Sequence, residues 1–444
     1  MAFEKKCLYL SPCKRNGFSN KVMRVLLVST SDRNGGAAIA CSRIFQALKK
    51  NGAEVKMLVR DKVSDEKDIF TVNKNVFVKF FNFLNFCLER LCILFKLGFK
   101  KKNLFQVSFD NFGALNLLDN PLVEEADVIN FHWTSQGLLS LNQLEKLLKK
   151  NKHIVFTMHD MHYFTGICHY ARKCNNFENG CGNCLFLKEG KKENDFSRRW
   201  FLRKMEIERR QKLIFVACSN WLRDTAKTSL MFEKNKVFSV PNPINTDVFR
   251  PYDKAKAREK FNLTKKYVIL FGAANFTDKR KGLKYLLEAL RLVHIKNTEF
   301  DEDIQLLVFG EGDPAMMNQF PYSYKTAGYI KDEKDLAMLY SAANVFVTPS
   351  LDDNLPNTVM EALSCGVPCA AFNTGGLPQL IDHNANGYLA ELQNSKDLAE
   401  GIFKIITSDN YTTLCHNARS KVENNFSEPV IAMKYNEIYR EAAI

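Results

Sequence analysis

Two series of short, continuously apolar runs, each followed by a turn and a helical or loop stretch, pass through the 444 residues. Arg24-Val-Leu-Leu-Val-Ser29 opens the first series. Such a run suits a strand buried on both faces, and strands of that kind belong to parallel sheets covered by helices. The turn Ser31–Gly36, the helical period of Ala37–Lys50 and the run Glu54–Val59 complete a βαβ unit. Asp127–Phe131, His153–Met158 and Leu213–Ala217 continue the pattern. A second series follows the proline-marked linker Pro241–Phe249, with strands expected at Tyr267–Phe271, Gln305–Phe309, Tyr324–Ala327, Asn344–Thr348 and Pro368–Phe372. Its helices are expected at Leu283–Lys296, Lys334–Ala342, Asn357–Ser364, Gly376–Ile381 and Ser395–Ile406. The fold class is therefore α/β, with two doubly wound Rossmann-like domains facing across a cleft. We place them at 23–235 and 236–426, after an N-terminal extension at 1–22. A terminal helix, 427–444, is expected to pack back on the first domain.

The chain is 46% hydrophobic and 25% charged, with 21 glycines and 12 prolines, which excludes fibrous and disordered classes. Its net charge of +14 is uneven: residues 1–235 hold 40 basic and 23 acidic side chains, a net of +17, and residues 236–444 hold a net of −3. A basic first half implies either an anionic partner, such as a membrane surface or nucleic acid, or a solvated basic surface. The residues from Met1 to Gly17 contain no apolar run of signal-peptide length, so a cytoplasmic location is expected, and thirteen cysteines fit a reducing compartment. Val76–Phe99 has the length of a membrane span, but Lys79, Glu89 and Arg90 interrupt it. An amphipathic helix packed in the core is the expectation, with a helix lying in a membrane interface as the alternative.

In doubly wound domains, ligands bind at the carboxyl ends of strands, so loops directly after strands carry the candidates. Between Pro349 and Pro368 an apolar strand leads through Asp353 into a helix starting near Pro356-Asn357-Thr358. Proline suits the first helical position, and the free N–H groups of that turn form an anion site for a diphosphate. Glu361 suits a ribose diol and Asp353 sugar hydroxyls; the structural alternatives are a solvated Glu361 and N-capping by Asp353. Gly35-Gly36, between the first strand and helix, allows close backbone approach to a phosphate or sugar, or is a plain turn. His132 and His159-Asp160 end strands on the same side. Cys168, Cys174, Cys181 and Cys184 lie within seventeen residues, a grouping compatible with a structural zinc ion or with four reduced thiols in a loop.

The stretch around Asp353 and Glu361 resembles the E-x7-E region of retaining glycosyltransferases of family 4, which have the GT-B fold. Phe271-Gly-Ala-Ala, Lys279–Ala289, Leu307–Gly312, Ala327–Ile330, Leu339–Ser350, Asn373–Pro378 and Asn386–Tyr388 match the family's motifs in order. The first acid of the motif is Asp353 here, one methylene shorter, and Ala273 stands where the family often has arginine. Arg280, beside Lys281, is the replacement cation. The resemblance implies transfer from a nucleoside diphosphate sugar, a UDP- or GDP-sugar, with no catalytic metal. It implies that Lys281, Arg280 and the Asn357-Thr358 turn face the diphosphate, and Glu361 the ribose. Tyr329-Ile330 would meet the base, and Asp353 with Gly375-Gly376 the sugar. His159 would face the donor sugar and acceptor, with His132 and Asp160 on the acceptor side. The cysteine-rich insertion at 165–187 marks a subgroup. Together with the basic half and Val76–Phe99, the resemblance points to a lipid-linked glycan acceptor at the inner membrane face, in O-antigen or capsule assembly. A nucleic-acid-binding protein with a zinc module, a GT-B sugar-nucleotide epimerase and an inactive regulatory homologue are the alternatives.

Overall fold

The computed structural model describes residues 23–150, 152–188, 192–210, 213–232, 236–275, 278–311 and 317–442; the expected extension 1–22 lies outside them. Two parallel sheets organise these residues. The first comprises β1 (Arg24–Ser31), β2 (Glu54–Asp61), β3 (Ile69–Thr71), β4 (Val128–Phe131), β5 (His153–Met158), β6 (Ile214–Ala217) and β7 (Val237–Ser239). They lie in the order β3-β2-β1-β4-β5-β6-β7. The second comprises β8 (Tyr267–Asn275), β9 (Ile304–Glu311), β10 (Tyr324–Gly328), β11 (Val345–Thr348), β12 (Cys369–Phe372) and β13 (Gly387–Ala390), in the order β10-β9-β8-β11-β12-β13. Every strand pair in both sheets is parallel. Strand order reverses between β1 and β4 in the first sheet and between β8 and β11 in the second, and each reversal opens a crevice at the strands' carboxyl ends.

The central strands are buried throughout because both faces are covered; β4, β6, β11 and β12 show no exposed residue. Sequence reading did not identify β3, β7 and β13, which have three or four residues each and no period to read. It also passed over the helix Tyr411–Phe426, whose apolar residues are sparse: only Leu414, Ala418, Val422 and Phe426 are buried.

The helix Glu428–Ala442 packs on the first domain, where Ile431, Ala432, Tyr435, Ile438 and Tyr439 join a core with Leu27, Ile44 and Val155. Asn130 donates from Nδ2 to the Tyr439 hydroxyl at 2.8 Å, and the Tyr435 hydroxyl lies 3.3 Å from Thr157 Oγ1.

The expectation that Val76–Phe99 packs as a core helix is corrected. The segment is helical over Val76–Lys96, but its buried face holds Asn82, Glu89 and Arg90 beside Val78 and Ile93. Phe77, Phe80, Phe83, Leu91 and Phe95 face outward. The polar side chains are inside because the segment 104–115 leaves backbone groups that they satisfy. Asn82 Oδ1 accepts from the Leu115 amide, Glu89 Oε1 accepts from the Phe109 amide, and Arg90 Nη1 donates to the Leu104 carbonyl. No helix among the described residues is long and apolar enough to cross a membrane.

Candidate functional site

The second sheet's crevice is spanned by one ion pair. After β8 the chain makes a single turn, Lys279–Lys281, started by the Asp278 carboxylate accepting the Arg280 amide. Lys281 Nζ then reaches Asp353 Oδ2, in the loop after β11, at 2.7 Å. Gly282 makes this approach feasible. It sits at φ 67°, and a Cβ there would lie 1.9 Å from the Pro349 carbonyl oxygen. Arg280 pairs with Asp278 Oδ2 at 2.7 Å and lies over the Tyr170 ring at 4.9 Å. Burial works against the guanidinium, but Asp278, Tyr170 and Asp353 hold its pKa above the ordinary value. Asp353 therefore faces a cation and does not cap the helix.

That helix, Asn357–Ser364, begins after Pro356, which is the N-cap and not the first helical residue as expected; no side chain caps it. Its uncapped first N–H groups carry the positive end of the helix dipole toward the cleft. Asn357 donates from Nδ2 to the Gly36 carbonyl of the first domain at 3.4 Å, so the Gly35-Gly36 turn faces the same helix end. A Cβ at Gly35 or Gly36 would meet nothing within 4 Å. Gly375 and Gly376 lie against the Asp353 loop, and a Cβ at Gly375 would lie 1.9 Å from the Asp353 carbonyl oxygen. Tyr329 stands on the surface after the edge strand β10, with Ile330 partly packed on the core below it.

Glu361 is 5% exposed, not solvated. Its Oε1 accepts from Arg43 Nη2 at 2.7 Å, and its Oε2 from the Tyr340 hydroxyl at 2.9 Å. Burial raises its pKa, and Arg43 and Tyr340 oppose that shift. Arg43 belongs to the first domain's helix Gly36–Lys50 and also reaches Glu333 Oε1 at 3.3 Å. Sequence reasoning missed Arg43 because its helical period reads as an ordinary core helix. It also missed Asn354, whose Nδ2 donates to the His159 carbonyl across the cleft at 2.9 Å while its Oδ1 accepts from Ser219.

His159 is half-buried at the end of β5, and its Nε2 lies 3.1 Å from His132 Nδ1. Burial holds the His159 pKa down at about 4, and drives that of His132 well below the ordinary value. The two acceptor-side residues, His132 and Asp160, lie deeper than their strand-end positions suggest. His132 is fully buried, stacked beneath the His159 ring at 5.3 Å, because β4 ends two residues short of β5 in their shared register. Asp160 is buried and spends its hydrogen bonds on other groups than the His159 ring. Its Oδ2 accepts from Trp133 Nε1 at 3.0 Å and lies 2.7 Å from His169 Nδ1, and its Oδ1 accepts from the His162 amide at 2.9 Å. Burial opposes its charge, but His169 and these hydrogen bonds lower its pKa to about 2.

The four cysteines of the zinc expectation stay close to one another in the fold. Cys168, Cys174 and Cys181 pack against the first domain's core, and Cys184 against the neighbouring cluster around Ile167 and Leu187. Cys181 Sγ accepts from the Gly166 amide at 3.1 Å. Burial pushes the Cys181 thiol up to about 12 and raises those of Cys168 and Cys184. Among the described residues no three or more His, Cys, Asp and Glu side chains are grouped to hold a metal ion. Cys174, Cys181 and Cys184 each add to the rise of the Cys168 thiol, so the four sulfurs share one neighbourhood.

Residues 265–408 match the family model described as Glycosyl transferases group 1. The Escherichia coli UDP-Gal:alpha-D-GlcNAc-diphosphoundecaprenol alpha-1,3-galactosyltransferase is 25% identical over 223 residues, 48% of this chain and 57% of that protein. The match thus spans little more than half of that relative's length. Sucrose-phosphate synthase from Thermosynechococcus elongatus aligns with a TM-score of 0.64 at 19% identity, covering 94% of this chain and 98% of that one. Anabaena HepE in complex with UDP and glucose aligns at 0.61 and 16% identity, covering 94% and 99%. At such identities the structural likeness speaks for the fold. The two facing sheets are therefore those of a GT-B protein, and residues 265–408 within them form a glycosyl transferases group 1 domain.

Proposed function

We propose that this chain is a retaining glycosyltransferase that moves a hexose from a nucleoside diphosphate sugar to a lipid-linked glycan. The observation that carries the reading is the Lys281–Asp353 pair at the strand-order reversal of the matched domain, beside the uncapped helix at Asn357. Lys281, Arg280 and the Asn357-Thr358 turn receive the diphosphate and offset the charge that grows on it as it leaves. Asp353 and the Gly375-Gly376 loop hold the sugar, Glu361 the ribose, and backbone at Tyr329-Ile330 the base. Following the family resemblance, the acceptor hydroxyl attacks the anomeric carbon on the face the diphosphate leaves, and a leaving phosphate oxygen takes its proton. His159 contributes as a neutral hydrogen-bonding group and no strong protein base is required.

A UDP donor is favoured by the Escherichia coli relative's UDP-Gal and by the UDP bound to HepE, with GDP as the alternative. The same relative's diphosphoundecaprenol substrate favours a lipid-linked acceptor, and the Staphylococcus aureus capsular polysaccharide glycosyltransferase CapM, 27% identical over 238 residues, supports a role in polysaccharide assembly. The location that follows is the cytoplasmic face of the membrane.

Thermal shift with UDP, GDP, ADP and their sugars tests the donor site. A ligand at a hundred times its Kd stabilises by about 2.7 kcal/mol. One nucleotide series is expected to shift the wild type and to lose its effect in Glu361→Ala. No shift from any nucleotide overturns the reading. Product analysis without acceptor then separates slow hydrolysis by a transferase from conversion of the sugar by an epimerase.

A further inference from the structure

The helix Val76–Lys96 carries its amphipathicity inverted, and the outward face has no cover among the described residues. Phe77, Phe80, Leu84, Leu88, Leu91 and Phe95 follow one another at steps of three or four, so they form a single stripe. Phe77, Phe80, Phe83, Leu91 and Phe95 are each between 59% and 70% exposed. At about 1.5 Å per residue the stripe runs roughly 30 Å. A scattered exposed leucine calls for no explanation, but a continuous aromatic face of this length does.

Three features select the occupant. Between Lys74 and Phe105 the exposed basic side chains are Lys74, Lys79 and Lys100-Lys101-Lys102, and the one acid, Glu89, is fully buried. The rim thus presents a single sign of charge, complementary to anionic headgroups. The buried Asn82, Glu89 and Arg90 fix the helix against segment 104–115, so the aromatic stripe is held outward and cannot rotate into the core. The helix also lies against the acceptor side: Gly137, in the loop after β4, packs so closely on it that a Cβ would lie 3.3 Å from the Phe86 amide nitrogen.

We propose that this face docks the protein on an anionic lipid bilayer, with the Phe–Leu stripe among the acyl chains and the lysines at the headgroups. The helix then lies in the interface plane, and the loop that follows β4 is held at the membrane surface. The proposal deepens the reading of a lipid-linked acceptor and rests on it for its purpose, but the binding itself needs neither donor nor acceptor.

The test is co-sedimentation of the full chain with phosphatidylcholine vesicles, with and without phosphatidylglycerol. The wild type is expected to bind the anionic vesicles and to release partly in high salt. The triple variant Phe80→Ser/Phe83→Ser/Phe95→Ser alters only exposed positions, and is expected to bind at least about tenfold more weakly with unchanged circular dichroism. Lys100→Glu/Lys101→Glu/Lys102→Glu is expected to lose the preference for phosphatidylglycerol. A wild type that stays in the supernatant overturns the proposal, as does a triple variant that binds equally. A wild-type dimer that the triple variant dissolves assigns the face to a second copy and also overturns it. Failure of the glycosyltransferase reading leaves vesicle binding untouched, so the two are separable.

Discussion

The guanidinium of Arg43 and the carboxylate of Glu361 meet at 2.7 Å, although 318 residues separate them and they belong to different domains. Both are more than nine-tenths buried, and the Tyr340 hydroxyl completes the carboxylate's shell. The residue proposed to hold the donor ribose is thus also a tie between the two halves of the cleft.

Removing one partner of a buried pair leaves the other charge uncompensated, typically at about 3–5 kcal/mol. Arg43→Ala is therefore expected to lower unfolding free energy by about 3 kcal/mol in a urea titration. Arg43→Met with Glu361→Gln removes both charges and is expected to regain more than half of that loss. Equal loss in the single and double variants would mean that the arginine stabilises by packing alone.

Gly282→Ala tests the geometry behind Lys281. The left-handed backbone costs a non-glycine residue about 1–2 kcal/mol, and the added methyl collides with the Pro349 carbonyl. Moving that carbonyl displaces the loop that carries Asp353. Transfer is expected to fall about 100-fold, since displacements near 1 Å at a reacting centre have that effect. Lys281→Met is expected to match it in rate with far less loss of stability.

With a pKa of about 4, His159 stays neutral across the physiological range. The profile of kcat/KM against pH is accordingly expected to show no inflection from this group between about pH 5.5 and 8. An inflection near 6.5 that His159→Asn abolishes would instead identify a titrating histidine in the mechanism.

Glu208 gives a pH dependence to stability. Burial raises its carboxyl from 4.5 to about 7, against the attraction of Arg209. The folded state therefore binds a proton more tightly than the unfolded chain. Stability from this group is fully present below pH 4.5 and is lost as pH rises through about 7. Glu208→Gln keeps the neutral form at every pH and is expected to stabilise the protein at pH 8 by about 2 kcal/mol, with little change at pH 4. Melting temperatures at the two pH values decide it.

What could be read from the chain follows from where the information lies. β1, β5 and β11 are legible because strands buried on both faces must be apolar without interruption. Lys281, Asp353 and Glu361 were singled out by the family resemblance; the fold pairs the first two and sets Glu361 against Arg43 and Tyr340. Arg43 and Asn354 were not, since their partners lie across the cleft and no window of sequence contains both. His132 and Asp160 lie deeper than their place in the sequence suggests, for a related reason. A strand end locates a side chain near a crevice, but only the lengths of neighbouring strands decide whether it lines the opening or lies beneath it. In Val76–Lys96 the period was right and the polarity reversed, because the buried polar side chains answer backbone groups of a distant loop.

The helix Glu428–Ala442 bears on how the molecule is made. Tyr435 and Tyr439 fill space against β5 and β4, whose contacting residues precede them by 278 and 309 residues. A ribosome delivers the first sheet long before the helix that seals one of its faces. During that interval Val25, Leu27, Ile44 and Val155 share a core still missing one wall, while the second domain is being synthesised and can fold. Completion of the first domain thus waits until the second has been synthesised, and a nascent chain stalled in the second domain would display that open apolar face to chaperones.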